Sequence, residues 1–112
     1  WAVWTRTAVQ MLAKIKRECE RETIEAEWLR LGAMLTDANG AIFDVRNDFA
    51  GSIAGIHEVL RRQGLMRGTW CLDPRERLSD GQVDEIERVL RSYPQLTDDA
   101  FVAEFRDEWL AP

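Results

Sequence analysis

The tract LTDANGAIFDVRNDFAGSIAG, residues 35–55, carries Asp37, Asn39, Asp44 and Asp48, hard oxygen donors of the kind a calcium site uses. An EF-hand loop needs oxygens at alternate positions, a glycine at the sixth and a glutamate at the twelfth. Counting from Asp37 makes Ile42 the sixth and Asp48 the twelfth; counting from Asp44 makes Arg46 the third and Phe49 the sixth. Neither register builds the loop, so these residues are expected to shape turns and cap helix ends.

Other chemistry-bearing residues are equally isolated. Glu18, Glu20, Glu22, Glu25 and Glu27 lie beside arginines, as on a solvated helix surface. His57, between Ile56 and Glu58, reads as a partly buried, hydrogen-bonded histidine. Cys71 in GTWCLDP would need an activating base, for which His57 is the sole candidate, and spacing alone does not join them. Cys19, Cys71 and one histidine do not complete a zinc site, so reduced structural thiols in a cytoplasmic protein are expected. Lys14 and Lys16 fall off the apolar stripe of the first helix and do not resemble desolvated Schiff-base lysines. No phosphate-cradling glycine loop is present. No catalytic residue, cofactor-binding residue or metal ligand is therefore assigned, and no cofactor is expected.

The chain must position these residues within 112 positions, enough for one domain, 1–112, with a modest core. Hydrophobic residues make up 46% and charged residues 31%, a balance that suits a folded chain. A net charge of −5, and no basic run longer than Arg61-Arg62, argue against nucleic acid and anionic membrane surfaces as partners. No apolar stretch approaches the ~20 residues of a membrane span, and the cations of the first helix do not suit a secretory leader. The opening WAVW has neither a methionine nor a capping residue and reads as part of something longer.

Helix is expected throughout. Trp4, Ala8, Met11, Leu12, Ile15 and Cys19 form one stripe, with a break near Arg21–Thr23. Ile24, Trp28, Leu31 and Leu35 form a second, followed by a stop or local irregularity at Asn39-Gly40. SIAGIHEVLRRQG predicts a third helix with Ser52 as N-cap and Gly64 as terminator. Residues 65–78 read as an irregular connection. Ser79 and Gln82 fit a capping box ahead of Val83, Ile86 and Leu90, and Pro94 ends that helix. Thr97 is the expected cap of a last helix bearing Phe101, Phe105 and Trp109, with Asp98 and Asp99 at its positive end. Five tryptophans suggest packing, and Trp1, Trp4 and Trp109 near the ends suggest packing against other structure.

The stretch NDFAGSIAGIHEVLRRQGLMRGTWCLDPRERLSDGQVDEIERVLRSYPQL resembles the C-terminal part of the dihydrodipicolinate synthase and N-acetylneuraminate lyase family. There, a helix ending in "LGL" leads through a proline-bearing connector to a capped final amphipathic helix. The matching positions are Arg61–Leu65, Leu72–Pro74 and Leu78-Ser79 into Val83–Leu90. The two preceding helices are similar to the last barrel helix and the first added helix, so the resemblance spans 5–96 and leaves 97–112 as an extension. His57 stands where many relatives carry lysine, and Cys71 about where many carry arginine.

The resemblance implies a class I aldolase-type lyase acting on pyruvate or a related keto acid. The Schiff-base lysine and the tyrosine belong upstream, and Tyr93 does not match that tyrosine's setting. The expectation is thus an all-α fold of four to five helices in an antiparallel bundle-like arrangement, a helical segment with a structural and subunit-contact role. Its partner would be further copies or the missing barrel portion. The alternative is a stand-alone module that binds a partner helix through Trp4 and Trp109.

Overall fold

In the computed structural model, which describes residues 2–112, the chain is all-helical. Five α-helices follow in order: α1 Thr5–Glu18, α2 Glu27–Ile42, α3 Ser52–Arg62, α4 Gln82–Ser92 and α5 Asp99–Trp109. Short 3-10 turns lie at Val45–Asn47 and Pro94–Leu96, and no strand occurs among the described residues. The all-α expectation holds.

The core lies where α2, α3 and α4 meet. Ile42, Val59, Ile86, Val89 and Leu96 are its largest fully buried side chains, each worth roughly 1.5–3 kcal/mol of burial. Val3, Trp4, Ala38 and Ala41 join them. On α4 the inward face is Gln82, Ile86 and Val89, with Leu90 beside it; Val83, expected on that face, is exposed.

Helix α2 starts later than its apolar stripe, leaving Ile24 outside and exposed, and it runs straight through Asn39-Gly40. Ala38, Ala41 and Ile42 are buried on either side of that pair, and this packing outweighs the local stop signal. The chain turns instead at Asp44, which adopts φ 57°, a left-handed conformation that aspartate tolerates better than most residues.

Gly51, not Ser52, is the N-cap of α3, and the Ser52 hydroxyl donates to Phe43 O at 2.9 Å. The exit of α3 is as expected. Gly64 takes φ 79°, Leu65 N–H donates to Leu60 O at 2.9 Å and Gly64 N–H to Arg61 O at 3.0 Å, the two bonds of a Schellman motif. Gly55 lets α3 approach α2 closely, because a Cβ there would collide with Ile42 O.

Helix α1 differs from the rest, since none of its residues is buried. It rests on the molecule through half-buried Thr7, Ala8, Met11 and Glu18, while Val9, Leu12 and Ile15 face outward. The molecule is correspondingly open. Its radius of gyration is 15.6 Å, against about 13 Å for a compact chain of this length.

Candidate functional site

The densest polar cluster joins the α2–α3 junction to the start of α4. Asp44 sits in the left-handed turn after α2, nearly enclosed. Its Oδ2 accepts from the Ser79 hydroxyl at 2.5 Å and from Gly51 N–H at 2.9 Å, and its Oδ1 from Asn47 Nδ2 at 2.7 Å. Burial pushes the Asp44 carboxyl up, but the bonds from Ser79, Asn47 and Gly51 outweigh it and leave the group below its ordinary value. Gln82 completes the cluster: its Nε2 donates to Ile42 O at 3.2 Å and Gly51 O at 3.1 Å, and its Oε1 accepts from Ser79 N–H at 3.1 Å.

The expected capping box is therefore half formed. Gln82 reaches back to Ser79 N–H, but the Ser79 hydroxyl turns to Asp44, and Gly81 at φ 78° occupies the N-cap position. Both Asp44 oxygens and both ends of the Gln82 amide are spent on protein. The cluster pins three helices and leaves no free nucleophile or ligand.

A second cluster bridges α2 and the end of α4. Arg88 donates through both terminal nitrogens to Asp37 at 2.8 Å, and Tyr93 OH donates to Asp37 Oδ2 at 2.7 Å. The Arg88 and Tyr93 bonds hold the Asp37 carboxyl down at about 2, and the same contact raises the Tyr93 hydroxyl. Asp37 and Asp44 both line a groove of about 480 Å³, yet neither keeps an oxygen for a cation. Asp48 is exposed and does not line that groove. The four oxygen donors of residues 37–48 do not converge; Asp44 and Asp48 shape the turn after α2 as expected, whereas Asp37 and Asn39 lie within α2, which continues to Ile42.

On α3 the buried Glu58 is clamped by Arg61 (Nε at 2.7 Å) and Arg62 (Nε at 2.8 Å), and Arg62 also pairs with Glu87 of α4. The Arg61 bonds lead in lowering the Glu58 carboxyl, against its burial. The Arg61-Arg62 dipeptide is thus tied to carboxylates of α3 and α4.

The structure does bring His57 and Cys71 together, which the sequence could not place. Cys71 Sγ lies 3.8 Å from His57 Nδ1, and the same nitrogen lies 3.0 Å from Trp70 O. A carbonyl oxygen only accepts, so Nδ1 carries its proton toward Trp70 and cannot take one from the thiol. Burial, with the charge of Glu76, also raises the Cys71 thiol. The pair is a structural contact, not an activated nucleophile.

An apolar concavity of about 430 Å³ opens between α1 and α5 and is lined by Val3, Trp4, Val9, Phe101, Val102 and Trp109 among others. Trp4 is 3% exposed and packs within its own chain, so it is not the outward surface expected of it. Trp109 remains half-exposed at the end of a ladder with Phe101 and Phe105, and Trp1 lies outside the described residues. At the rim the Arg6 guanidinium lies 5.1 Å above the Phe101 ring. Trp4 Nε1 is buried with no acceptor among the described residues, a cost of about 1–3 kcal/mol.

Sequence reasoning also missed the role of Asp98. Helix α1 begins after Trp4, which offers no capping oxygen, and Asp98 Oδ2 accepts Arg6 N–H at 3.0 Å in its place. The Thr7 hydroxyl donates to Thr97 O at 2.8 Å, and Gln63 Nε2 donates to Asp98 and Asp99. Thr97 itself does not cap α5; its hydroxyl donates to Pro94 O at 3.0 Å. Only the missing cap at Trp4 could have hinted at this exchange.

No described group of three or more histidine, cysteine or carboxylate side chains could hold a metal ion, and no described helix is long and apolar enough to cross a membrane. Compared with protein-family models, with curated proteins and with solved structures, the chain matches none.

Proposed function

We propose that this chain is the C-terminal helical segment of a dihydrodipicolinate synthase-like lyase or aldolase, where it covers the barrel and contributes to subunit contacts. Schiff-base chemistry on pyruvate or a related keto acid would belong to the barrel portion, so the chain alone is catalytically incomplete. The observation that carries the reading is α1: a helix with an apolar stripe that buries none of its residues and leaves Val9, Leu12 and Ile15 outside. A last barrel helix needs such a stripe to lie on strands. The buried, unpartnered Trp4 N–H and the open shape support the same reading.

Two tests apply. Pyruvate followed by borohydride should leave the chain unmodified, and an adduct on Lys14 or Lys16 overturns the reading. The reading frame upstream of Trp1 should encode alternating strands and helices with a strand-borne lysine; its absence would remove the family assignment.

One observation favours a second reading, a stand-alone module that binds a partner helix: Trp4 and Trp109 line the same apolar cleft. That reading predicts a folded monomer that captures its partner in a fixed ratio, measurable by sedimentation.

A further inference from the structure

We propose that residues 2–18 form a strap that opens and closes as one unit on a core that stays folded without it. The core is built where α2, α3 and α4 pack on one another, and α1 takes part in none of those pairings. What holds α1 is the short segment ahead of it and two polar ties. Val3 and Trp4 are buried and reach into the core cluster. Arg6 N–H donates to Asp98 Oδ2 and the Thr7 hydroxyl to Thr97 O. Both ties end on adjacent residues just ahead of α5, so they are lost together.

The anchor is strained in the closed position. Trp4 is held at φ 56°, a left-handed conformation unfavourable for a bulky residue, and its buried Nε1 has no acceptor among the described residues. Both costs vanish when Trp4 leaves its seat, and they offset part of what burial of the ring contributes. The segment moves with the helix because Ala8 N–H donates to Trp4 O at 3.0 Å, the bond that opens α1. At the other end, residues 19–26 are exposed throughout and form no regular helix, which gives the strap its hinge. Few buried contacts and solvent-facing helical bonds mark an element that opens below the limit of global unfolding.

Lifting the strap removes Val3, Trp4 and Val9 from the wall of the apolar cleft and bares Leu60, Leu65 and Val102, which also line it. The strap therefore governs access to that surface. The inference concerns contacts within the 112-residue chain and does not rest on the family reading, which is judged by keto-acid trapping and the upstream reading frame.

Val3→Cys in a Cys19→Ser, Cys71→Ser background places a single thiol under the strap. Its reaction with dithiobis-nitrobenzoate and hydrogen exchange of the Ala8 and Val9 amides should give one common opening constant, about tenfold or more above that of the Ile86 and Val89 amides. Thr7→Val, which removes one tie, should raise that constant about fivefold, the worth of one ordinary hydrogen bond. Ser79→Ala, outside the cleft, should quicken Ile86 and Val89 exchange about tenfold or more and leave the rate of the thiol unchanged, because the core is intact in both strap positions. A thiol that reacts like a free one, or is as protected as the Ile86 amide, would overturn the proposal. So would a thiol that stays protected while the α1 amides exchange freely, one indifferent to Thr7→Val, or one quickened by Ser79→Ala in step with α4.

Discussion

The Ser79 hydroxyl reaches across 35 residues of sequence to Asp44 Oδ2 at 2.5 Å, and in doing so gives up the helix cap its position invites. A bond to a charged, nearly enclosed acceptor contributes more than a cap exposed to water. The start of α4 and the turn after α2 are thereby one structural unit.

Ser79→Ala should cost about 1.5–3 kcal/mol, because the enclosed carboxylate loses its shortest bond. Asp44→Ala should cost at least as much, leaving Gly51 N–H and Asn47 without their acceptor. Urea unfolding followed by tryptophan fluorescence measures both. A double variant no worse than Asp44→Ala alone would show that the two side chains act as a pair.

Acid should weaken the fold in a defined window. Asp37 is held at about 2, and Asp44 and Glu58 also lie below their ordinary values. A lowered carboxyl binds its proton more readily in the unfolded chain, so its contribution is full above pH ~4 and is lost as pH falls toward ~2. Asp37 is partly exposed, and solvent screening keeps its share small. Urea midpoints across this range should fall less steeply for Asp37→Asn than for the parent.

The glycines of α2 and α3 should respond in opposite directions. Gly55→Ala drives a methyl into Ile42 O and should destabilise in spite of the better helix propensity. Gly32→Ala and Gly40→Ala meet open space and should each stabilise by about 0.5–1 kcal/mol. Thermal melts of the three single variants decide this.

Asp98→Ala should loosen α1 specifically. The loss of the Arg6 N–H acceptor costs about 1 kcal/mol, on the scale of other N-caps. Amide exchange should quicken in the first turn of α1 while α2 and α4 keep their protection.

Helices were legible in the sequence because a 3.6-residue stripe needs no tertiary information: α3 ends at Gly64 and α4 at Pro94 as the local signals require. Long-range choices were not legible. Asn39-Gly40 reads as a stop until Ala41 and Ile42 are known to be buried, and Val83 looks interior until Val89 takes its place. The oxygen donors at residues 37–48 could be excluded as an EF-hand by register, but their partners Arg88, Tyr93 and Ser79 lie 35 to 56 residues away in sequence. The approach of Cys71 to His57 depends on the path of an irregular loop, and no periodicity encodes that path.

The bond from Arg6 N–H to Asp98 spans 92 residues. During synthesis α1 emerges well before the carboxylate that completes its opening turn. Of the five helices, α1 is made before the others and finished only with α5. Through that interval its leucine and isoleucine lie on a helix that lacks its acceptor, and a chaperone would have most to do then.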